Sequence, residues 1–271
     1  MIVIATLNGP LTSEASAYYA LHYSKIHGFG LHLLHVHNTV DSREAVVRSM
    51  VNLETEGQRL GVEVERVFLE GKPMKALQFY ISKMLVDTIF CSTRATRRLF
   101  QGSFSEQATR MGLRCDVAVV RIVNIWSARN HRSLMLAIKD ARLEVRKFTF
   151  FASLASAYET PAEIYSIKVM HQRALALLDI GSIKRILRRI DNQLLHYRKL
   201  AALANLNFRI KHAITTMEHA GIIHHVLSTG HDLIIIGGSR LSVIPTLEGE
   251  KPIERLMRET PVNLIAYYPG E

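Results

Sequence analysis

The chain repeats one order of short apolar strands and helices, and this internal repeat restricts its fold more than any other feature. The apolar run at residues 2–7 is followed by Asn8, and the run at residues 134–138 ends before Asp140. Asn8 and Asp140 are 132 positions apart. Four more pairs of apolar runs follow in the same order: 31–37 with 163–170, 62–69 with 208–215, 87–90 with 232–236, and 117–120 with 262–267. Five ordered matches indicate a tandem duplication.

The spacing of these runs predicts the class of fold. Short β-branched strands that alternate with segments of helical length imply right-handed crossovers and a parallel sheet covered by helices on both faces. We therefore predict an α/β fold with two domains, residues 1–123 and residues 132–271, joined by a linker at residues 124–131. Thr12 or Ser13 is the expected N-cap of the first helix.

The second copy carries an insertion with a marked charge. The offset between the copies rises from 132 residues at Asn8 to 145 at Asp87, which adds about 12 residues after the second strand of the second copy. Residues 168–211, in that interval, hold ten Lys or Arg against two Asp. Apolar residues recur there at helical spacing, so we predict one amphipathic helix that continues past residue 194 to about residue 201.

The cationic side of this helix has two interpretations that the sequence leaves open. It is either a solvated face or a docking face for an acidic protein partner or an anionic surface, and its residues are Lys184, Arg185, Arg188 and Arg189. Nucleic acid is not expected as a partner, because no aromatic residues are interleaved for base stacking.

Composition excludes several classes of protein. Apolar residues make up 48% of the chain, enough for a sizeable core, and the net charge is +10. No apolar run reaches the roughly 18 residues that a transmembrane helix needs, so no transmembrane segment is predicted. The N-terminus lacks the basic region of a signal peptide, and two cysteines are too few for a disulfide framework. We expect a cytoplasmic protein.

Candidate ligand residues follow the predicted strands. Ligands of open parallel sheets bind beyond the carboxyl ends of the strands. After the fourth strand, Arg94 precedes Gly102 and Ser103, which begin a helix. Backbone N–H groups, a glycine and arginines at such a point can bind phosphate, but a plain Ser N-cap with solvent-facing arginines explains the pattern equally well.

Several of these segments resemble one known family. Residues 4–10, Ile-Ala-Thr-Leu-Asn-Gly-Pro, resemble the first strand and Asp-Gly-Ser loop of the universal stress proteins. Residues 33–36 resemble the second strand of that family, and residues 86–90 and 97–106 resemble its fourth strand and following helix. The resemblance implies two tandem Rossmann-like domains, each with five parallel strands, and in one subclass the binding of ATP.

Both halves depart from the family's nucleotide motif, Gly-x2-Gly-x9-Gly-Ser/Thr. The first half keeps Gly102-Ser103 but lacks the upstream glycines, and Asn8 stands where ATP-binding members have Asp. The second half keeps the acid as Asp140, yet Gly249 is followed by Glu250, whose charge would oppose a triphosphate. Each half therefore holds a different part of the motif.

The resemblance implies a set of nucleotide-binding residues. Adenine would lie near Leu7, Asn8 and Val36, and phosphates near Arg94, Gly102, Ser103, Phe104 and Ser105. A weaker site in the second half would use Asp140, Gly237, Gly238 and Ser239. We expect ATP or a related adenine nucleotide, Mg²⁺ only with the nucleotide, and at most slow ATP hydrolysis, because no catalytic base is evident. The alternative is an interaction scaffold without nucleotide.

Other residues give weaker signals. His35 and His37, two apart on a strand, lack a third ligand, and His224 and His225 point to different helix faces, so no metal site is predicted. Cys91 ends a strand near the arginines and is either a reactive thiol or a buried, inert one.

The fifth strands predict how the halves assemble. Residues 116–123 and 262–267 are apolar on both faces, and unpaired edges of this kind favour strand pairing. In the family that the chain resembles, such edges pair between domains. We therefore expect an intrachain pseudo-dimer, with a homodimer of the whole chain as a further possibility.

Overall fold

The computed structural model describes residues 1–93, 103–139, 144–238 and 252–270. Within them lie ten strands: β1 (Ile2–Thr6), β2 (Gly30–Val36), β3 (Val64–Leu69), β4 (Val86–Thr93), β5 (Asp116–Arg121), β6 (Leu134–Ile138), β7 (Ala162–Val169), β8 (Phe208–Thr215), β9 (Leu233–Gly237) and β10 (Asn263–Tyr268). The helices are α1 (Leu11–His27), α2 (Arg43–Leu60), α3 (Pro73–Ser82), α4 (Phe104–Arg110), α5 (Val145–Ala157), α6 (Gln172–Ala176), α7 (Ile180–Gln193), α8 (Leu195–Leu203), α9 (Glu218–Thr229), α10 (Pro252–Glu259) and a 3₁₀ helix (Trp126–Arg129).

All ten strands form one sheet. Their order is β3-β2-β1-β4-β5-β10-β9-β6-β7-β8. Strands within each half run parallel, so the predicted α/β fold with five parallel strands in each half is confirmed. The second half repeats the order of the first in reverse across the sheet, as a tandem duplication requires.

The two halves join through their fifth strands. β5 and β10 pair antiparallel over five residue pairs, from Arg121 with Leu264 to Val117 with Tyr268. This pairing confirms the intrachain pseudo-two-fold assembly. It also covers the sheet edges that each half would otherwise expose, which removes a site for strand addition by other chains.

Helices bury both faces of the sheet, because alternate strand residues point to opposite sides. On one face, α1 and α5 pack across the centre of the molecule, where Tyr23 and Phe150 lie 5.4 Å apart between ring centroids. On the other face lie α3, α4, α9 and α10, with Leu77, Ala108, Val226 and Met257 in the core. Parallel sheets require this double cover.

The segment between the halves is packed rather than extended. Its 3₁₀ helix buries Ala128 completely. The side chain of Asn263, at the start of β10, accepts hydrogen bonds from the backbone N–H groups of Val123 and Asn124, both at 2.8 Å. Residues predicted to be a linker therefore belong to the joint between the two halves.

Two details of the helices differ from prediction. The N-cap of α1 is Pro10, not Thr12 or Ser13, because the Pro10 carbonyl already accepts the N–H of Ser13 at 2.9 Å. The basic amphipathic helix is two helices, α7 and α8, separated at Leu194. The Leu194 N–H is shared between the carbonyls of Ile190 and Asp191, at 3.0 and 3.1 Å, which tightens the chain there.

Candidate functional site

A cavity of about 170 Å³ lies at the carboxyl ends of β1, β2 and β4 in the first half. Four of the predicted nucleotide residues line it: Leu7, Asn8, Val36 and Phe104. The other residues on its walls are Thr6, Leu34, His35, Asn38, Asp41, Pro73 and Ser92. The strand-end rule thus brings together residues that are far apart in the sequence.

Two hydrogen-bond acceptors among the residues of this cavity are buried without partners. The Nδ1–H of His35 donates to the backbone oxygen of Leu7 at 2.8 Å, so the neutral ring keeps a lone pair on Nε2. Neither His35 Nε2 nor Asn8 Oδ1 forms a hydrogen bond with any described residue. Because buried polar atoms are normally paired, these two acceptors beside one cavity could each receive an N–H or O–H donor, from water or from a ligand.

The predicted phosphate end is only partly described. Ser103 is the N-cap of α4, and its Oγ accepts the N–H of Glu106 at 3.2 Å. Ser105 is buried, 3.2 Å from Ser103 Oγ, and neither serine lines the cavity. Arg94 and Gly102 lie outside the described residues.

Arg121 is a cation at the same sheet edge that sequence analysis missed. It ends β5 and pairs in register with Thr93 of β4, directly before Arg94. Only 9% of it is exposed, and its Nε and Nη1 atoms have no hydrogen-bond partner among the described residues. Burial lowers the pKa of its guanidinium below the ordinary value. Arg121 was not identified as a candidate because it ends an apolar strand, and nothing in the sequence indicates that this arginine is buried.

The corresponding cleft of the second half is built differently. It measures about 420 Å³ at the ends of β6, β7 and β9, and Lys147 of α5 is one of the residues that line it. The Lys147 ammonium lies 2.5 Å from Glu144 Oε2. A Cβ at Gly237 would overlap the Lys147 side chain, and a Cβ at Gly238 would overlap the ring of Tyr268. Packing therefore accounts for both glycines, while Asp140 and Ser239 lie outside the described residues.

The other sequence candidates have structural partners. His35 is buried and His37 is exposed, and neither belongs to a group of three potential metal ligands among the described residues. Cys91 is 1% exposed, and burial raises the pKa of its thiol to about 12. The expected burial of Cys91 is therefore confirmed, and its inertness stays a prediction.

The cationic residues of α7 lie on the surface. Lys184, Arg185, Arg188 and Arg189 are all exposed, whereas Ile190 and Leu194 are buried against the sheet. Arg185 donates to Ser182 Oγ at 3.0 Å, and none of the four forms an ion pair with a described residue. None of the described helices combines the length and apolar character that crossing a membrane requires.

Comparison with known proteins gives matches in structure only. No protein-family profile and no curated protein sequence matches the chain. A universal stress protein from Archaeoglobus fulgidus DSM 4304 superimposes with a TM-score of 0.66 and 12% identity, covering 100% of this chain and 97% of that one. A provisionally assigned universal stress protein from Pseudomonas aeruginosa UCBPP-PA14 gives a TM-score of 0.63 and 10% identity, with 98% and 92% covered.

A third match belongs to a protein of a different kind. The cytoplasmic domain of a prokaryotic cation chloride cotransporter gives a TM-score of 0.58 and 12% identity, with 98% of this chain and 94% of that chain covered. The chain thus has the fold of the tandem universal stress proteins over its full length, as the resemblance of its motifs predicted. At these identities the matches establish the fold alone.

Proposed function

We propose that this chain is a stress-response protein of the universal stress protein type, which binds an adenine nucleotide in its first half and signals through a partner. The observation that carries the proposal is the pair of unpartnered acceptors, Asn8 Oδ1 and His35 Nε2, beside one cavity. The exocyclic amine of adenine supplies N–H donors to such acceptors. The nucleotide would be ATP or AMP-like, with Mg²⁺ only as its companion.

The size of the cavity supports one heterocycle rather than a whole nucleotide. Its volume of about 170 Å³ is below the roughly 300–1,000 Å³ of sites that enclose drug-sized ligands. The sugar and phosphates would extend over the sheet edge toward β4 and β5. β5 lies two strands from β1, about 10 Å away at the usual strand spacing, so Arg121 is within reach of a phosphate.

Adenosine and ATP, titrated in parallel by calorimetry, test the two ends of this site separately. Asn8→Leu removes a hydrogen-bond acceptor for the base and should lower the affinity for both ligands. Arg121→Gln should lower the affinity for ATP by about tenfold or more, which is the value of one charge-assisted hydrogen bond. It should leave the affinity for adenosine unchanged. Asn192→Leu, on the exposed side of α7, is the control. Equal losses for both ligands in Arg121→Gln would contradict the phosphate role.

An interaction scaffold without nucleotide is the second candidate function. It is favoured by the second-half cleft, where Lys147 and Tyr268 fill the space above Gly237 and Gly238. A fold shared with the cytoplasmic domain of a cotransporter is compatible with such a role. If the purified protein releases no nucleotide on denaturation and binds neither adenosine nor ATP, the scaffold is the function.

Under either function, the exposed cations of α7 are the proposed docking face for an acidic partner. A cytoplasmic location is part of the same proposal, because Cys91 and Cys115 are both buried thiols rather than halves of a disulfide.

A further inference from the structure

Three ionisable side chains converge at the amino edge of the second half, away from both clefts. Glu163 is the second residue of β7, His225 lies in α9, and His231 lies two residues before the start of β9. One ligand atom from each lies within 4.8 Å of the other two, and all three side chains are buried. Glu163 is four residues along β7 from Ile167 of the second-half cleft, about 13 Å at the rise of a strand.

The local structure directs both imidazole rings at one carboxylate oxygen. His225 Nε2 forms a short contact with Glu163 Oε1, and its ring stacks on Tyr165 with centroids 3.9 Å apart and planes within 2°. Gly230 caps the end of α9, and its φ of +75° turns the chain back so that His231 returns to the same point. Glu163 and Tyr165 share this face because they are two residues apart on one strand.

The observation that points to a ligand is that His231 Nε2 is buried without a hydrogen-bond partner among the described residues. The ring is 6% exposed, and Nε2 forms no hydrogen bond of acceptable geometry with a described residue. Its nearest acidic atom is Glu163 Oε1 at 3.3 Å. A tetrahedral ion with bonds of about 2.0–2.1 Å holds neighbouring ligand atoms about 3.3 Å apart, so this separation fits two ligands of one metal ion.

Further contacts supply what a metal site needs around its ligands. Ser133 Oγ lies 2.6 Å from His231 Nδ1 and can accept its proton, which leaves the lone pair of Nε2 facing Glu163. A surface cavity of about 850 Å³ reaches Glu163 and His231 and gives an ion a path from solvent. Lys211 Nζ lies 4.0 Å from the other carboxylate oxygen, Oε2, and is half exposed, so it can move away.

We propose that Glu163, His225 and His231 bind a divalent transition-metal ion of the Zn²⁺ class. Two imidazole nitrogens and one carboxylate oxygen are a ligand set for such ions, whereas Ca²⁺ and Mg²⁺ require oxygen ligands throughout. The fourth position would hold water from the cavity. The ion would tie the beginnings of β7 and β9 to the end of α9, and it is independent of any nucleotide in the first half.

Calorimetric titration of the tag-free, chelator-treated chain with Zn²⁺ tests the site. The wild-type chain should bind one equivalent tightly, and its melting temperature should rise on binding. His231→Gln and Glu163→Gln should lose this equivalent and the rise. His224→Gln is the matched control, since His224 is the exposed neighbour of His225 on α9 and should leave both unchanged.

A second variant and a second metal keep the test decisive if a ligand variant fails to fold. Ser133→Ala removes only the outer contact to His231 and should weaken Zn²⁺ binding by roughly tenfold or more. Wild-type chain loaded with Co²⁺ should show the intense visible absorption of a tetrahedral ion. Absence of that spectrum would overturn the proposal. Equal loss of Zn²⁺ binding in His224→Gln and His231→Gln would also overturn it, because surface histidines would then be the ligands.

Discussion

Cys91 illustrates how burial decides the chemistry of a single residue. Among the described residues its Sγ donates to the Ala118 carbonyl, at 3.8 Å, and burial raises its pKa to about 12. Because the thiolate is the nucleophile, we expect no reaction with the thiol reagent DTNB in the native state at mildly alkaline pH. Cys115→Ser isolates the signal, and one thiol should appear on adding guanidinium. Rapid native labelling of that variant would show that the strand end opens.

His22 makes stability depend on pH in a way that can be measured. Burial, with a smaller contribution from Lys25, lowers the pKa of His22 from 6.5 to about 4, and its ring lies 4.2 Å from that of Tyr158. The unfolded chain takes up a proton near pH 6.5, whereas the native chain does so only near pH 4. Stability is therefore lost as pH falls through this window, by up to about 1.4 kcal/mol per pH unit.

His22→Phe tests this dependence, because the ring is kept and the titration is removed. The free energy of unfolding of the wild type, relative to the variant, should fall between pH 6.5 and pH 4 and level off below it. His37→Gln, at an exposed position, should follow the wild type. Parallel curves for wild type and His22→Phe would mean that another group causes the acid sensitivity.

At the scale of elements, the sequence predicted what depends on periodic burial and missed what depends on single contacts. The positions of the ten strands follow from apolar runs, because a strand buried on both faces must be apolar throughout. The pairing of β5 with β10 follows from their apolar edges together with the family resemblance. The start of α1 at Leu11 and the break at Leu194 depend on individual hydrogen bonds, which leave no periodic trace.

The cations of α7 give the test at this scale. Arg185→Glu, Arg188→Glu and Arg189→Glu together should hardly change the melting temperature, because all three side chains are exposed. The triple variant should lose salt-sensitive retention on immobilised poly-glutamate.

The control for this triple variant makes the same change of charge on another surface. Lys72→Glu, Lys75→Glu and Arg114→Glu, all exposed in the first half, should retain most of the binding. Equal losses in the two variants would mean that net charge, not the face of α7, governs the interaction. Binding of the α7 variant to phosphatidylserine vesicles, measured beside wild type, distinguishes a membrane surface from an acidic protein.

At the scale of the whole molecule, the sequence could locate the edge of the sheet where ligands are expected to bind. It could not show which side chains occupy the cleft in each half. Leu7, Asn8, Val36 and Phe104 meet because parallel strand ends share one edge. That Lys147 occupies the space above Gly237 depends on side-chain packing from α5, which the glycine pattern does not reveal. The Glu163–His225–His231 cluster was missed for a related reason, since Glu163 and His225 are brought together across 62 positions of sequence.

The joint between the halves should make the chain unfold as one unit, and Asn263 is the residue that tests it. Its side chain is fully buried, and Nδ2 lies within 3.0 Å of the Tyr19 hydroxyl, the Asn124 carbonyl and Ser127 Oγ. Asn263→Ala removes these contacts and the acceptor of two backbone N–H groups. We expect a loss of about 2 kcal/mol or more in the free energy of unfolding.

Calorimetry of the unfolding transition distinguishes a shared joint from two independent halves. Because β5 and β10 form one continuous sheet, Asn263→Ala should lower a single transition temperature without splitting the transition. Asn192→Ala, at an exposed position on α7, should change stability by less than about 0.5 kcal/mol. Two separated transitions in the wild type would show that each half folds on its own and would contradict the shared joint.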